Sequence, residues 1–177
     1  MKKIILLSFM FITFITGHAQ KVYMKVDGTK SGSIKDLNPV NKAGDKIELT
    51  GYSFESSSPR DAATGMASGR RTRTPLTITK NMGQSGILLY NAEINNEVLK
   101  TVVIEVYKTN NQGMETLEQT ITLTNATVSS YQQIFDETPA PGTVRGPIDI
   151  IKFSYQKITF VYSNGGVMAE DSWQNAN

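Results

Sequence analysis

The chain reads as a mainly β protein, a small β-barrel or two-sheet sandwich with one flanking α-helix. Three observations predict this. Short apolar segments with period-two alternation recur along most of the 177 residues. Gly, Asn and Pro punctuate them at turn spacing, and a single segment has helical periodicity. Cysteine is absent, so packing rather than disulfides has to hold the fold together.

The first strand covers 22–26 and ends at Asp27-Gly28, a strong turn signal. A polar loop over 29–46 follows, broken by Gly32, Pro39 and Gly44. In the next strand, 46–55, Ile47 and Leu49 lie on one face and Tyr52 and Phe54 on the other. The change of face falls near Gly51, where a bulge is expected. Residues 56–73 have no periodicity and many small side chains, which predicts a long exposed loop. Leu76 and Ile78 then alternate with Thr77 and Thr79 in a strand over 75–80. The helix is expected to start at Ser85 as N-cap. Ile87, Leu88, Ala92 and Ile94 form its apolar stripe, and Asn95-Asn96 ends it. So short a helix needs a sheet to pack on.

The strand over 101–108 sets Val102, Ile104 and Val106 against Val103, Glu105 and Tyr107. A turn at 110–113 leads to a strand over 117–123, and Asn125-Ala126 bridges to another over 127–132. The loop 136–147 carries three prolines and should be exposed and stiff. In 149–162 the apolar positions are first odd (Ile151, Phe153, Tyr155) and then even (Ile158, Phe160, Tyr162). A period of two cannot survive that shift unbent, so a bulge is expected near Gln156-Lys157. Asn164-Gly165-Gly166 turns the chain into a last strand, 167–173.

The N-terminus carries Lys2 and Lys3, an apolar run over 4–15, and Gly17-His18-Ala19. That pattern predicts a cleaved secretory signal over residues 1–19 and one domain over 20–177, secreted or periplasmic. The run is shorter than the roughly 20 residues of a membrane span, so no membrane association is expected once it is removed. Loss of Lys2 and Lys3 leaves 16 basic residues against 16 acidic ones. That balance argues against nucleic acid as a partner. The single histidine, His18, leaves with the signal. Without His or Cys, the common zinc, copper and haem sites and Ser-His-Asp or Cys-His catalysis are excluded. No cofactor, metal or enzymatic activity is expected.

Arg60, Arg70, Arg71 and Arg73 form the main cluster of like charge. The interleaved aromatics of a nucleic-acid site are missing, whereas arginine forks suit carboxylates at a subunit contact. The 56–73 loop is therefore the candidate contact loop. Glu170 and Asp171 are adjacent acids, but strand alternation sends them to opposite faces rather than to one catalytic pair. Trp173, Tyr155 and Tyr162 are read as packing residues.

Several stretches, taken in order, resemble one family. They are "VYMKVDGTKSGS", "KIELTGYSFESSSP", "LTITKNMGQSGILLYNAEINNEVLKTVVIEVYK", "ETLEQTITLTNATVSSYQ" and "DIIKFSYQKITFVY" with its later Gly-Gly and Trp. Together they resemble the haemolysin-coregulated protein (Hcp) family over residues 21–173. The resemblance implies a two-sheet β-barrel with one helix. It also implies a homo-hexameric ring, stacking into the tube of a type VI secretion system, with effectors or sheath and spike components as further partners. The expected function is that of an exported, self-assembling structural protein with no catalysis. The signal departs from the family, whose tube subunits assemble in the cytoplasm. The alternative is a monomeric extracellular binding or effector module on the same fold.

Overall fold

The computed structural model describes residues 20–36, 44–69, 71–110, 112–135 and 146–173. The signal at 1–19, most of the proline loop, and Arg70 lie outside them. In chain order the elements are β1 (Gln20–Gly28), β2 (Ser33–Ile34), β3 (Ile47–Leu49), β4 (Gly51–Ser53), β5 (Ser56–Ser57), β6 (Thr72–Arg73) and β7 (Leu76–Asn81). Then come α1 (Gln84–Ile94), β8 (Leu99–Thr109), β9 (Glu115–Ile134), β10 (Ile148–Tyr162) and β11 (Val167–Ser172). Among the described residues no helix is long and apolar enough to cross a membrane.

Nine of the strands make one antiparallel sheet that wraps on itself rather than the two packed sheets expected, and β5 and β6 pair apart from it. Its order is β2-β1-β8-β9-β10-β7-β4, with β3 added to β1 and β11 to β10. The sheet wraps around one core, because Met24, Ile104, Ile121, Phe153 and Ile78, from strands along this path, share a single buried cluster. The wrap does not close into a barrel. The 47–53 segment pairs with β1 through Ile47–Leu49 and with β7 through Gly51–Ser53. The two ends of the sheet thus meet on a strand broken at Thr50, whose N–H turns to the Thr79 carbonyl at 2.9 Å. The face change foreseen at Gly51 is this break.

The bulge expected near Gln156-Lys157 is not there, but the change of face that led to it is present and crosses three strands. Buried positions change parity between Tyr155 and Ile158 in β10, Ala126 and Leu123 in β9, and Leu99 and Val102 in β8. Asn125 takes a left-handed φ of 49° at this level, which asparagine tolerates. Its Nδ2 donates to Gln156 Oε1 at 2.9 Å. Because β9 and β10 step together, Tyr155 still faces Ala126 and Lys157 still faces Thr124. The register shift in this pair lies instead between Lys152 and Phe153, where Ser129 is the extra residue. The left-handed Asn125 also lets 115–134 run as one strand where two were expected.

The helix departs from its sequence reading. Gly83, in extended conformation, precedes it with no side-chain cap. Ser85 instead donates its backbone N–H to Asp36 Oδ1 at 2.7 Å. The buried face is Ser85, Gly86, Leu89 and Ala92, while Ile87 and Ile94 are exposed. The reason is a carboxylate beneath the first turn. A Cβ at Gly86 would lie 2.1 Å from Asp149 Oδ2, so small residues have to face the sheet there. Asp149 and Lys80 are register partners on β10 and β7 and are both buried. Lys80 Nζ donates to Asn81 O at 2.6 Å and to Asp149 Oδ2 at 3.5 Å, and Asp36 Oδ2 forms an ion pair with it at 3.7 Å. Asp149 Oδ1 also accepts from Tyr131 Oη at 3.0 Å and Gln133 Nε2 at 3.1 Å. Burial, and then the hydrogen bond to Asp149, push the Tyr131 hydroxyl up to about 12. Two carboxylates at the helix N-terminus also complement its dipole.

A second buried carboxylate fixes the β1–β2 turn. Glu97 accepts from Lys30 N at 2.6 Å, Ser31 N at 2.7 Å and Ser31 Oγ at 2.6 Å. Burial works against its charge, but these hydrogen bonds outweigh it and hold the carboxyl below its ordinary value.

Candidate functional site

Residues 56–73 are a hairpin arm, not an unstructured loop. Ser56 and Ser57 pair with Arg73 and Thr72, Arg60 bridges to Ala67, and Ser68 N donates to Pro59 O at 3.0 Å. The tip is built on Asp61. Its Oδ1 accepts from Ala63 N, Thr64 N and Thr64 Oγ1 at 2.8–3.0 Å, and these bonds hold its carboxyl below the usual range. Arg60 Nη1 reaches back to Gly65 O at 3.3 Å. Met66, at the tip, is 70% exposed. The arm braces itself and gives nothing to the core.

The structure divides the arginines. Arg73 Nε and Nη2 each donate to Asp171 at 2.7 Å, and Nη2 also reaches Ser172 O at 3.2 Å. The Arg73 side chain is only 7% exposed, and its guanidinium carbon sits 4.7 Å from the Trp173 ring centroid, a cation–π contact. Arg71 Nη2 joins the same carboxylate at 2.5 Å. Arg60 lies out along the arm, away from this cluster. Hydrogen bonding to Arg73, opposed by burial and aided by the charge of Arg71, holds the Asp171 carboxyl below its ordinary value. Two of the arginines expected to meet a neighbour's carboxylate are therefore engaged within the chain.

Sequence reasoning missed Asp171 as their partner. The usable signal was spacing: residues two apart on a strand share a face, which aligns Arg71 with Arg73 and Asp171 with Trp173. The expected divergence of Glu170 and Asp171 holds, since Glu170 turns to Lys157 at 3.4 Å. Tyr155 is buried as a packing residue, whereas Tyr162 and Trp173 are exposed.

Three other surfaces stand out. The outer face of β8, β9 and β10 carries Thr101, Thr120, Thr122, Thr124 and Thr159, all half-buried, together with Val103 and Val161. Charge on this face is paired, in Lys46–Glu105 at 2.5 Å beside Thr120 and in Lys157–Glu170 beside Thr124. A face whose charges are few and paired is suited to protein contact. On α1, Ile87, Tyr90 and Ile94 form an exposed stripe. A shallow cleft of about 390 Å³ opens between the β8–β9 and β10–β11 turns, where Tyr162 Oη donates to Glu118 Oε1 at 3.1 Å. Among the described residues no cluster of three or more acidic or histidine side chains is placed to hold a metal ion.

The fold and site thus define a single wrapped sheet bearing a braced, projecting arm. The model of the type VI secretion system effector Hcp family matches residues 23–162, most of the chain, and the chain belongs to that family. Among solved structures it is similar to an Hcp protein at 24% identity, covering 88% of this chain and 98% of that one, with a TM-score of 0.80. The Hcp1 protein from the E. coli EAEC 042 pathovar, in a mutant form, gives 25% identity, 88% and 99% coverage and 0.75. The secreted protein Hcp3 from Pseudomonas aeruginosa gives 24%, 88% and 99% and 0.70. Comparison with curated proteins gives no match.

Proposed function

We propose that the chain is a ring-forming structural subunit of the type VI secretion type that acts after export, with a second copy of itself as its first partner. The observation that carries this reading is the arm. Fixing a hairpin costs about 1–2 kcal/mol per residue in backbone entropy, and this one is ordered although it adds no side chain to the apolar core. Its ordered form is useful when the exposed tip seats on another molecule. A contact between an arm on one copy and a different surface on the next is heterologous, and repeated around an axis it closes a ring. The hydroxyl face and the helix stripe supply the broad, weakly charged surfaces such packing needs. Six copies per ring, and stacking of rings, follow the family. No catalytic role is assigned.

The test is the mass of the chain beginning at Gln20, by light scattering over a range of concentrations, with negative-stain images. A hexamer and ring-shaped particles support the reading. A monomer at every concentration overturns it and favours a monomeric binding module. N-terminal sequencing of protein recovered outside the cell tests export, with Gln20 expected as first residue and Met1 the contrary result.

A further inference from the structure

The arm's two-stranded sheet shares no ladder with the nine-stranded sheet. Backbone hydrogen bonding of strand to strand therefore does not set its angle to the body, and side chains at the neck must do so. Thr74 Oγ1 donates to Glu55 O at 2.6 Å, closing the neck on itself. Tyr155 Oη donates to Thr74 O at 3.5 Å, a long bond to β10. The strong links are the charge-assisted ones from Arg71 and Arg73 to Asp171, roughly twice as strong as neutral bonds. Trp173 covers the Arg73 fork from one side.

The strand that carries Asp171 is otherwise hard to explain. None of the residues of β11 belongs to the buried core, and most are exposed. The strand also lies beyond the span matched by the family model, which ends at residue 162. A strand with no apolar contribution to stability still holds one carboxylate at the base of the arm.

We propose that Asp171 is the positioning residue of the assembly arm, and that β11 serves to aim the arm at the neighbouring copy of this chain. This rests on the assembly reading above, in that the arm's target is a second copy. The clamp itself is a property of one chain. Releasing it leaves the body folded and lets the arm swing about its neck. The preformed angle is lost, and binding then has to include the cost of reordering it.

The experiment compares wild-type chain with Asp171→Ala, Asp171→Glu and Trp173→Ala. It measures hydrogen exchange over 56–73 and over β9 and β10, together with assembled mass. In Asp171→Ala, exchange in the arm should quicken by about tenfold or more while β9 and β10 keep their protection, as expected of a local opening. Its assembled mass should fall toward the monomer. Asp171→Glu, which keeps the charge, should recover part of both, and Trp173→Ala should show a smaller loosening. Unchanged exchange in the arm of Asp171→Ala overturns the clamp, and a loosened arm that assembles like wild type overturns the aiming role. A wild-type chain that never assembles sinks the assembly reading instead, and the exchange data still judge the clamp.

Discussion

The helix and the arm are both fastened to the sheet by a carboxylate on the β10–β11 side, but one seat is sealed and the other is open. Under the helix, Asp149 and Lys80 are at most 1% exposed, and the ammonium lies between two carboxylates and a carbonyl. At the arm, Arg73 is buried but Arg71 is 47% exposed and Asp171 is 19% exposed. A buried charge that loses its partner is expensive, whereas a pair with an exposed partner, such as Arg71–Asp171, is screened and contributes little. The two seats therefore do different jobs. The helix seat holds the fold together, and the arm seat holds a direction.

The largest effect should come from breaking the sealed seat. Asp149→Ala leaves Lys80 buried with a remote carboxylate and strands Tyr131 and Gln133. It should destabilise by about 3–5 kcal/mol, read from the denaturant midpoint. A loss below about 1 kcal/mol would mean that this seat is open like the other. Gly86→Ala comes next. The added methyl collides with Asp149 Oδ2, and such overpacking should cost about 1–3 kcal/mol. Equal stability would show that the helix can shift on the sheet.

Titration sharpens the contrast, because the seats fail at opposite ends of the pH scale. The Tyr131 hydroxyl is raised to about 12. Its contribution is therefore complete below the unfolded value of about 10 and is lost as pH rises through the folded one. Asp171 is lowered. Its contribution is complete above the unfolded value of about 3.9 and is lost as pH falls through the folded one. Protection at the helix, relative to the intrinsic exchange rate at each pH, should fall in alkali, and protection at the arm in acid. The reverse order would contradict the assignment. The smallest effect belongs to Arg71→Ala, about 0–1 kcal/mol on stability, with Arg73 keeping the arm attached. A larger loss would show the outer guanidinium to be structural.

How much of this was legible in the sequence depends on how far each signal reaches. Alternation in 22–26, 75–80 and 101–108 found the strands, because burial repeats every second residue. The odd-to-even switch after Tyr155 marked the change of face. The helix face was misread because Ile87 and Ile94 look like core residues, whereas a carboxylate 63 positions beyond Gly86 requires glycine and serine there. Lys80 continues the inward phase of Leu76 and Ile78, yet a charge in that phase says nothing of the two acids that receive it. The arm has no period at all. Its order comes from the Asp61 turn and from pairs 98 and 100 residues apart, which no local pattern reports. One wrapped main sheet rather than two packed ones followed from β3 and β4 splitting a single segment between β1 and β7, a matter of partner choice.

The most direct test of the division between body and arm is to shorten the arm, joining Ser57 to Thr72 by a glycine-containing turn. Thermal unfolding and assembled mass of that chain are then compared with wild type. The account predicts an unchanged unfolding midpoint and a monomer in place of the ring. A shortened chain that still forms rings, or one that no longer folds, would contradict it.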